Sequence, residues 1–119
     1  MRNQPKYNFI NNTRYAIQGL KDIIQHESSF KIELILFIPA LLIIFWIDVS
    51  LTNKLLMFST YSGILIAETI NSAIERIVDL VTLKHHEMAG RAKDAGSAIV
   101  FLSIVVCSVV WLSILFFNF

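Results

Sequence analysis

The C-terminal stretch constrains the fold most, because no charged residue occurs from Ala95 to Phe119. A helix needs roughly 20 predominantly apolar residues to cross a bilayer, and this stretch is longer. The whole chain is 55% hydrophobic and 16% charged, whereas a soluble domain usually carries about 25% charged residues. We therefore predict an integral membrane protein whose 119 residues form a single domain, 1–119.

Two further apolar stretches predict two more membrane spans. Leu34 to Ile47 is unbroken apolar sequence that contains Pro39 and ends at Asp48. Neighbouring helices help to satisfy the backbone carbonyl that such a proline leaves free. The segment 55–67 is uncharged and runs into a polar segment without a helix breaker. The predicted spans therefore cover about residues 29–47, 54–80 and 94–117.

The N-terminal segment, about residues 7–25, has apolar residues near helical spacing and polar residues largely elsewhere around the helix. Two interpretations are equally good: a helix lying on the membrane surface, or a helix packed against the protein's own spans. The predicted fold is an all-α membrane protein with three transmembrane helices and an N-terminal amphipathic surface helix. We expect no cleavable signal peptide, because residues 1–31 alternate polar and apolar groups.

The basic residues predict the orientation of the chain in the membrane. The sequence has ten lysines and arginines, and all except Lys54 fall before the first span or between the second and third. The positive-inside rule makes that side cytoplasmic. We therefore expect a cytoplasmic N-terminus and an external C-terminus. The nine residues are Arg2, Lys6, Arg14, Lys21, Lys31, Arg76, Lys84, Arg91 and Lys93.

Three polar residues share one face of the second predicted span. Glu68 follows an uncharged run, so it should lie at the cytoplasmic boundary of the membrane. A carboxylate at that depth is costly and by default indicates function. Asn71 and Glu75 follow three and seven residues later, on the same helix face. The alternative interpretation is a polar contact that holds a helix bundle together.

A second polar cluster lies at a similar depth. Glu27 and Glu33 flank the start of the first span, and Lys93 and Asp94 precede the last. If the helices pack together, Glu27, Glu75 and Asp94 gather near one cytoplasmic surface. Two or three carboxylates suit Mg²⁺, which usually also takes oxygens from substrate phosphates. Lys93 would add positive charge for a polyphosphate, although alone it could be a topology signal.

Several other functional classes are disfavoured. Residues 90–96 lack the lysine that a P-loop needs after its second glycine, and His85-His86 lacks the spacing of a zinc helix. No nucleophile-elbow motif occurs. A net charge of +1 with no basic patch among aromatic residues argues against nucleic acid. Cys107 lies inside the last apolar run and is interpreted as a buried hydrophobic residue with no disulfide partner.

Two long motifs carry a family resemblance. Residues 68–79, which begin ETINSAIE, and residues 86–98, HEMAGRAKDAGSA, resemble the signatures of the small bacterial membrane diacylglycerol kinases. The resemblance covers nearly the whole chain, including Tyr15, Glu27, Glu33 and Trp46. It implies a homotrimer in the bacterial inner membrane, with active sites shared between neighbouring subunits. The implied reaction transfers the γ-phosphoryl group of MgATP to diacylglycerol and gives phosphatidic acid.

The resemblance also implies residue roles. Glu68 would be the general base on the lipid hydroxyl, and Glu27 and Glu75 would hold the metal. The residues expected to border ATP are Tyr15, Glu27, Glu75, His86, Lys93 and Asp94. The residues expected to contact or support the lipid substrate are Glu33, Trp46, Glu68, Asn71, Ser97 and Trp111.

The sequence departs from the family pattern near its N-terminus. Asn8 stands where the resemblance leads us to expect an arginine, and Ala16-Ile17 replaces a more polar, aromatic pair. Relatives that phosphorylate undecaprenol offer an alternative acceptor, although residues 89–97 look more like the diacylglycerol branch. A non-catalytic membrane scaffold, and an ion or proton carrier that uses Glu68 as a relay, are alternatives of other classes.

Overall fold

The computed structural model describes residues 6–119, and these form four α-helices joined by short connections. The all-helical prediction is therefore confirmed. Arg2, one of the basic residues used to predict the orientation, lies outside the described residues. The helices are α1 (Phe9–His26), α2 (Ser28–Trp46), α3 (Leu51–Val81) and α4 (Glu87–Asn118).

Side chains that accept hydrogen bonds from free backbone N–H groups determine where three helices begin. The Asn8 side chain accepts from Asn11 N at the start of α1, so the residue that departs from the family pattern has a local structural role. Ser50 caps α3 in the same way. His86 Nδ1 accepts from Met88 N at 3.1 Å. This cap lets α4 begin at Glu87, well before the start predicted near residue 94.

The bend between α1 and α2 occurs at Glu27, whose backbone is extended with φ −113° and ψ 108°. Burial of Ile23 before the bend and Phe30 after it fixes the bend against the rest of the chain. Pro39 lies inside α2 without ending it. The bend therefore leaves the carboxylate of Glu27 where α1 and α2 meet.

The core consists of contacts that join α2, α3 and α4. Met57 is fully buried and packs with Ile44 and Ile114. Trp111 Nε1 donates a hydrogen bond to the Met57 carbonyl oxygen at 3.2 Å. The Tyr61 hydroxyl donates to the Glu33 carbonyl oxygen at 2.8 Å. These contacts fix the rotation of α3, and with it the direction in which its polar face points.

Two of the helices, α2 and α4, are long and apolar enough to cross a membrane. Large apolar side chains on both remain exposed, including Ile38 on α2 and Phe101 on α4. Such a surface is unusual for a soluble monomer and suits contact with lipid. The third predicted span, α3, is 31 residues long but carries several charged residues in its second half, so its composition alone does not mark it as a span.

We expect Met57→Ala to lower the free energy of unfolding by about 2–5 kcal/mol, because it opens a cavity at the junction of three helices. The measurement is unfolding in mixed micelles followed by circular dichroism. Leu56→Ala is the matched control, since the neighbouring Leu56 side chain is exposed. Equal losses in the two variants would contradict the core described here.

Candidate functional site

A small polar cavity of about 60 Å³ lies where α2 meets α3. The α3 residues that line it form two pairs four positions apart, Glu68 with Ser72 and Asn71 with Glu75, so they share one helix face. The bend before α2 brings Glu27 to the same cavity. The structure thus brings together four residues singled out in the sequence. The polar lining consists of Glu27, Ser29, Glu68, Asn71, Ser72 and Glu75.

Glu27 is held by two groups on α3. The Ser72 hydroxyl is buried and donates a hydrogen bond to Glu27 Oε1 at 2.7 Å. Arg76 Nη2 lies 3.5 Å from the same oxygen, and Arg76 Nη1 forms an ion pair with Asp22 on α1. Arg76 therefore connects α1, the Glu27 bend and α3. These contacts fix the position of the carboxylate at the junction of α1 and α2.

Ser72 and Arg76 belong to this site but are not among the site residues predicted from the sequence. Each directly follows a predicted site residue, Asn71 or Glu75, along the helix. Ser72 is four residues after Glu68, and Arg76 is four after Ser72. This spacing places all three on one face of the helix and could have identified Ser72 and Arg76 as site residues.

Asn71 bridges the α3 face and α4. Its Nδ2 donates to Glu75 Oε1 at 3.4 Å. Its Oδ1 is buried and, within residues 6–119, has no hydrogen-bond partner. That oxygen lies against the backbone of Gly96 on α4. The Asn71 side chain thus contacts the Glu75 carboxylate through Nδ2 and Gly96 through Oδ1.

Glu68 has a second acid as its neighbour. The carboxyl group of Glu33 on α2 is near enough to that of Glu68 for their charges to interact, and Glu33 Oε2 is buried with no hydrogen-bond partner within residues 6–119. Both side chains are partly buried. Two carboxylates this close repel each other, so the two acids influence one another across the contact between α2 and α3.

A separate cavity of about 280 Å³ lies between the end of α3 and the start of α4. It is lined by Lys93 and His86, among others. Lys93 Nζ forms an ion pair with Asp79 Oδ1 at 2.7 Å, so its partner is on α3. Neither Glu27 nor Glu75 lines this cavity. Asp94 and Ser97 are exposed on α4.

Three aromatic residues lie away from the polar cavity within the single chain. Tyr15 is exposed on α1, and Trp46 is exposed at the end of α2, edge-on to Phe45. Trp111 donates a hydrogen bond to the α3 backbone and packs against the core around Met57. The structure therefore does not bring these residues to Glu27, Glu68 and Glu75.

The donor set of the polar cavity fits a hard cation that is also bound by a substrate. No group of three histidine, cysteine or acidic residues within residues 6–119 is arranged to hold a metal. Glu27 and Glu75 nevertheless place carboxylate oxygens on one cavity. Mg²⁺ is commonly held by one or two carboxylates, with waters and substrate phosphates completing its shell. The arrangement thus suits a magnesium–nucleotide complex better than a metal held by protein alone.

One family model and several known proteins are similar to this chain over most of its length. The family model described as prokaryotic diacylglycerol kinase matches residues 14–115. The diacylglycerol kinase of Haemophilus influenzae is 38% identical over 108 residues, which are 91% of this chain and 92% of the relative. That of Escherichia coli K12 is 36% identical over 105 residues, covering 88% and 86%. An undecaprenol kinase of Bacillus subtilis is 30% identical over 100 residues, covering 84% and 81%.

Replacing Ser72 by alanine removes the hydroxyl that orients Glu27. We expect Ser72→Ala to weaken divalent-metal binding about 10-fold or more, as is common when a group that orients a metal ligand is lost. The measurement is a titration with Mn²⁺ in the presence of a non-hydrolysable ATP analogue. Ser59→Ala, an exposed serine on the same helix, should bind as the wild type does. Unchanged binding in Ser72→Ala would show that the Ser72 hydroxyl does not orient a metal ligand.

Proposed function

Because the chain belongs to the prokaryotic diacylglycerol kinase family, we propose that it phosphorylates diacylglycerol with ATP and releases phosphatidic acid. The observation that carries this proposal is the polar cavity, in which Glu68, Asn71 and Glu75 follow one another along a helix face. A lipid hydroxyl lies at the membrane interface, whereas ATP is in the cytoplasm. A helix face that runs between those two levels can bring them together.

In the proposed reaction, Glu68 accepts the proton of the primary hydroxyl of diacylglycerol. The hydroxyl oxygen forms a bond to the γ-phosphorus as the bond to the β–γ bridging oxygen breaks, and ADP leaves. Glu33, beside Glu68, is placed to share the proton that Glu68 accepts. Asn71 supports the acceptor side of the cavity while it hydrogen-bonds Glu75.

Glu27 and Glu75 would hold Mg²⁺ with the phosphates of ATP. The ion would neutralise charge that develops on the transferred phosphoryl group. Ser72 and Arg76 keep Glu27 directed at the cavity. Arg76 also offsets the negative charge of Glu27 and Asp22. Phosphoryl transfer requires mainly that the reactants are positioned and that the phosphate charge is neutralised. A few helices can supply both.

We further propose three membrane spans in the bacterial inner membrane, α2, α3 and α4, with α1 on the cytoplasmic surface. The uncharged run 55–67 of α3 and the single basic residue near the opposite end of α3 from Glu75 support this topology. That residue, Lys54, donates to the Phe45 carbonyl oxygen at 3.1 Å. A cation there stabilises the C-terminal end of α2, which gives the one basic residue on the external side a local structural role.

The remaining residues implied by the resemblance fit an active site shared between subunits of a homotrimer. The cavity that contains His86 and Lys93 is separate from the one that contains Glu27 and Glu75. In the proposed assembly a neighbouring subunit completes the nucleotide site, to which Tyr15, His86, Lys93 and Asp94 contribute. Along the lipid's path we place Glu33, Trp46, Ser97 and Trp111.

Undecaprenol is the second candidate acceptor. It is favoured by the 30% identity with the undecaprenol kinase of Bacillus subtilis, whereas the relatives named diacylglycerol kinase are 36–38% identical over a larger part of the chain. Both acceptors are lipid alcohols, so the same base and metal ligands serve either reaction. A non-catalytic scaffold has no use for the oriented carboxylates of the cavity.

The purified protein with labelled ATP, Mg²⁺ and diacylglycerol should form labelled phosphatidic acid.

We expect Glu68→Gln to retain the helical fold and lower turnover by about 10²-fold or more, because glutamine does not accept the proton. Asp48→Asn, a change of the same kind outside the cavity, is the matched control. Turnover that survives in Glu68→Gln would show that another group is the base.

A further inference from the structure

Gly96 differs from the other three glycines in what surrounds it. A Cβ atom added to Gly19, Gly63 or Gly90 would meet nothing within 4 Å. A Cβ atom at Gly96 would lie 2.4 Å from Asn71 Oδ1 and 3.4 Å from Asn71 Cγ. The first distance is far below van der Waals contact. The space that a side chain would occupy on α4 is therefore filled by the carboxamide of Asn71 on α3.

The contact determines which way the carboxamide points. Oδ1 faces the α-hydrogen that Gly96 carries where other residues have a side chain. A Cα–H group is a weak hydrogen-bond donor, so an oxygen is favoured at this position. The other end, Nδ2, donates to Glu75 Oε1 at 3.4 Å. The reverse orientation would place Oδ1 against the Glu75 carboxylate and leave the amide hydrogens against Gly96. Because the carboxamide is planar, fixing Oδ1 also fixes the donor directed at Glu75.

We infer that Gly96 is a positioning residue for phosphoryl transfer, which acts by holding the Asn71 carboxamide so that it orients Glu75. The inference rests on the proposed function, in which Glu75 holds the metal. It also gives a reason for a glycine inside α4, where alanine would favour the helix more. Gly96 touches neither substrate in this account, and its effect passes through two side chains.

Gly96→Ala against Gly63→Ala tests the inference, since both exchange a helical glycine for alanine. The group met by the new methyl at position 96 is the end of a side chain, so we expect both variants to fold. Gly96→Ala should raise the Mg²⁺ concentration for half-maximal turnover about 10-fold or more, with a smaller change in the apparent KM for diacylglycerol. Gly63→Ala should match the wild type. A role in helix packing alone would leave the Mg²⁺ requirement unchanged.

A second readout does not depend on activity. In protein labelled with ¹⁵N at asparagine side chains, the Asn71 amide signal is identified by its loss in Asn71→Ser. It should shift in Gly96→Ala and stay in place in Gly63→Ala. In the Asn71→Ser background the methyl has no carboxamide to displace. Adding Gly96→Ala there should change the Mg²⁺ requirement little, a non-additivity expected of residues in contact.

The outcomes separate the inference from the proposed function. If the wild type makes no phosphatidic acid, the proposed function fails, and the amide signal alone decides whether Gly96 orients Asn71. If the wild type is active and Gly96→Ala keeps its amide signal or its Mg²⁺ requirement, the inference is overturned and the function stands. If Gly96→Ala does not fold, recovery in the double variant with Asn71→Ser supports the contact. Failure of that double variant as well overturns it.

Discussion

The cost of placing carboxylates at the edge of an apolar helix bundle governs this structure. Glu27, Glu33, Glu68 and Glu75 lie where the start of α2 meets the part of α3 that follows its uncharged run 55–67. Burying a charged group without partners is strongly unfavourable, so each acid requires a nearby donor, cation or shared proton.

The structure meets that requirement with contacts between different helices and with one hydrogen bond within α3. Ser72 and Arg76 serve Glu27, Asn71 serves Glu75, and Glu33 lies beside Glu68. The groups that offset the cost of burying these acids also fix the directions in which the carboxylates point. The same contacts therefore stabilise the fold and set the geometry of the site, in which Glu68, the proposed proton acceptor, lies on one cavity with the proposed metal ligands Glu27 and Glu75.

The sequence was sufficient for features that depend on local geometry. The face shared by Glu68, Asn71 and Glu75 follows from helical spacing alone, and the apolar runs predicted helices in the right regions. The family resemblance, which rests on two continuous motifs, is confirmed by the comparison with known kinases. Each of these predictions uses residues that are near one another along the chain.

Features that depend on how helices pack were not predictable in this way. The pairing of Lys93 with Asp79, the bridge from Arg76 to Asp22 and the approach of Gly96 to Asn71 each join residues from two helices. Their formation depends on the rotation and spacing of α1, α3 and α4, which hydropathy does not encode. The early start of α4 was missed because the cap at His86 precedes a polar segment that reads as a loop.

The central claim is that this cavity transfers phosphate to the hydroxyl of diacylglycerol. Its most direct test is a competition assay in which the wild-type protein receives labelled ATP, Mg²⁺ and equal amounts of diacylglycerol and undecaprenol in mixed micelles. The account predicts that labelled phosphatidic acid is the main product. Undecaprenyl phosphate as the main product would contradict the assigned acceptor, and the absence of both labelled lipids would contradict a lipid kinase.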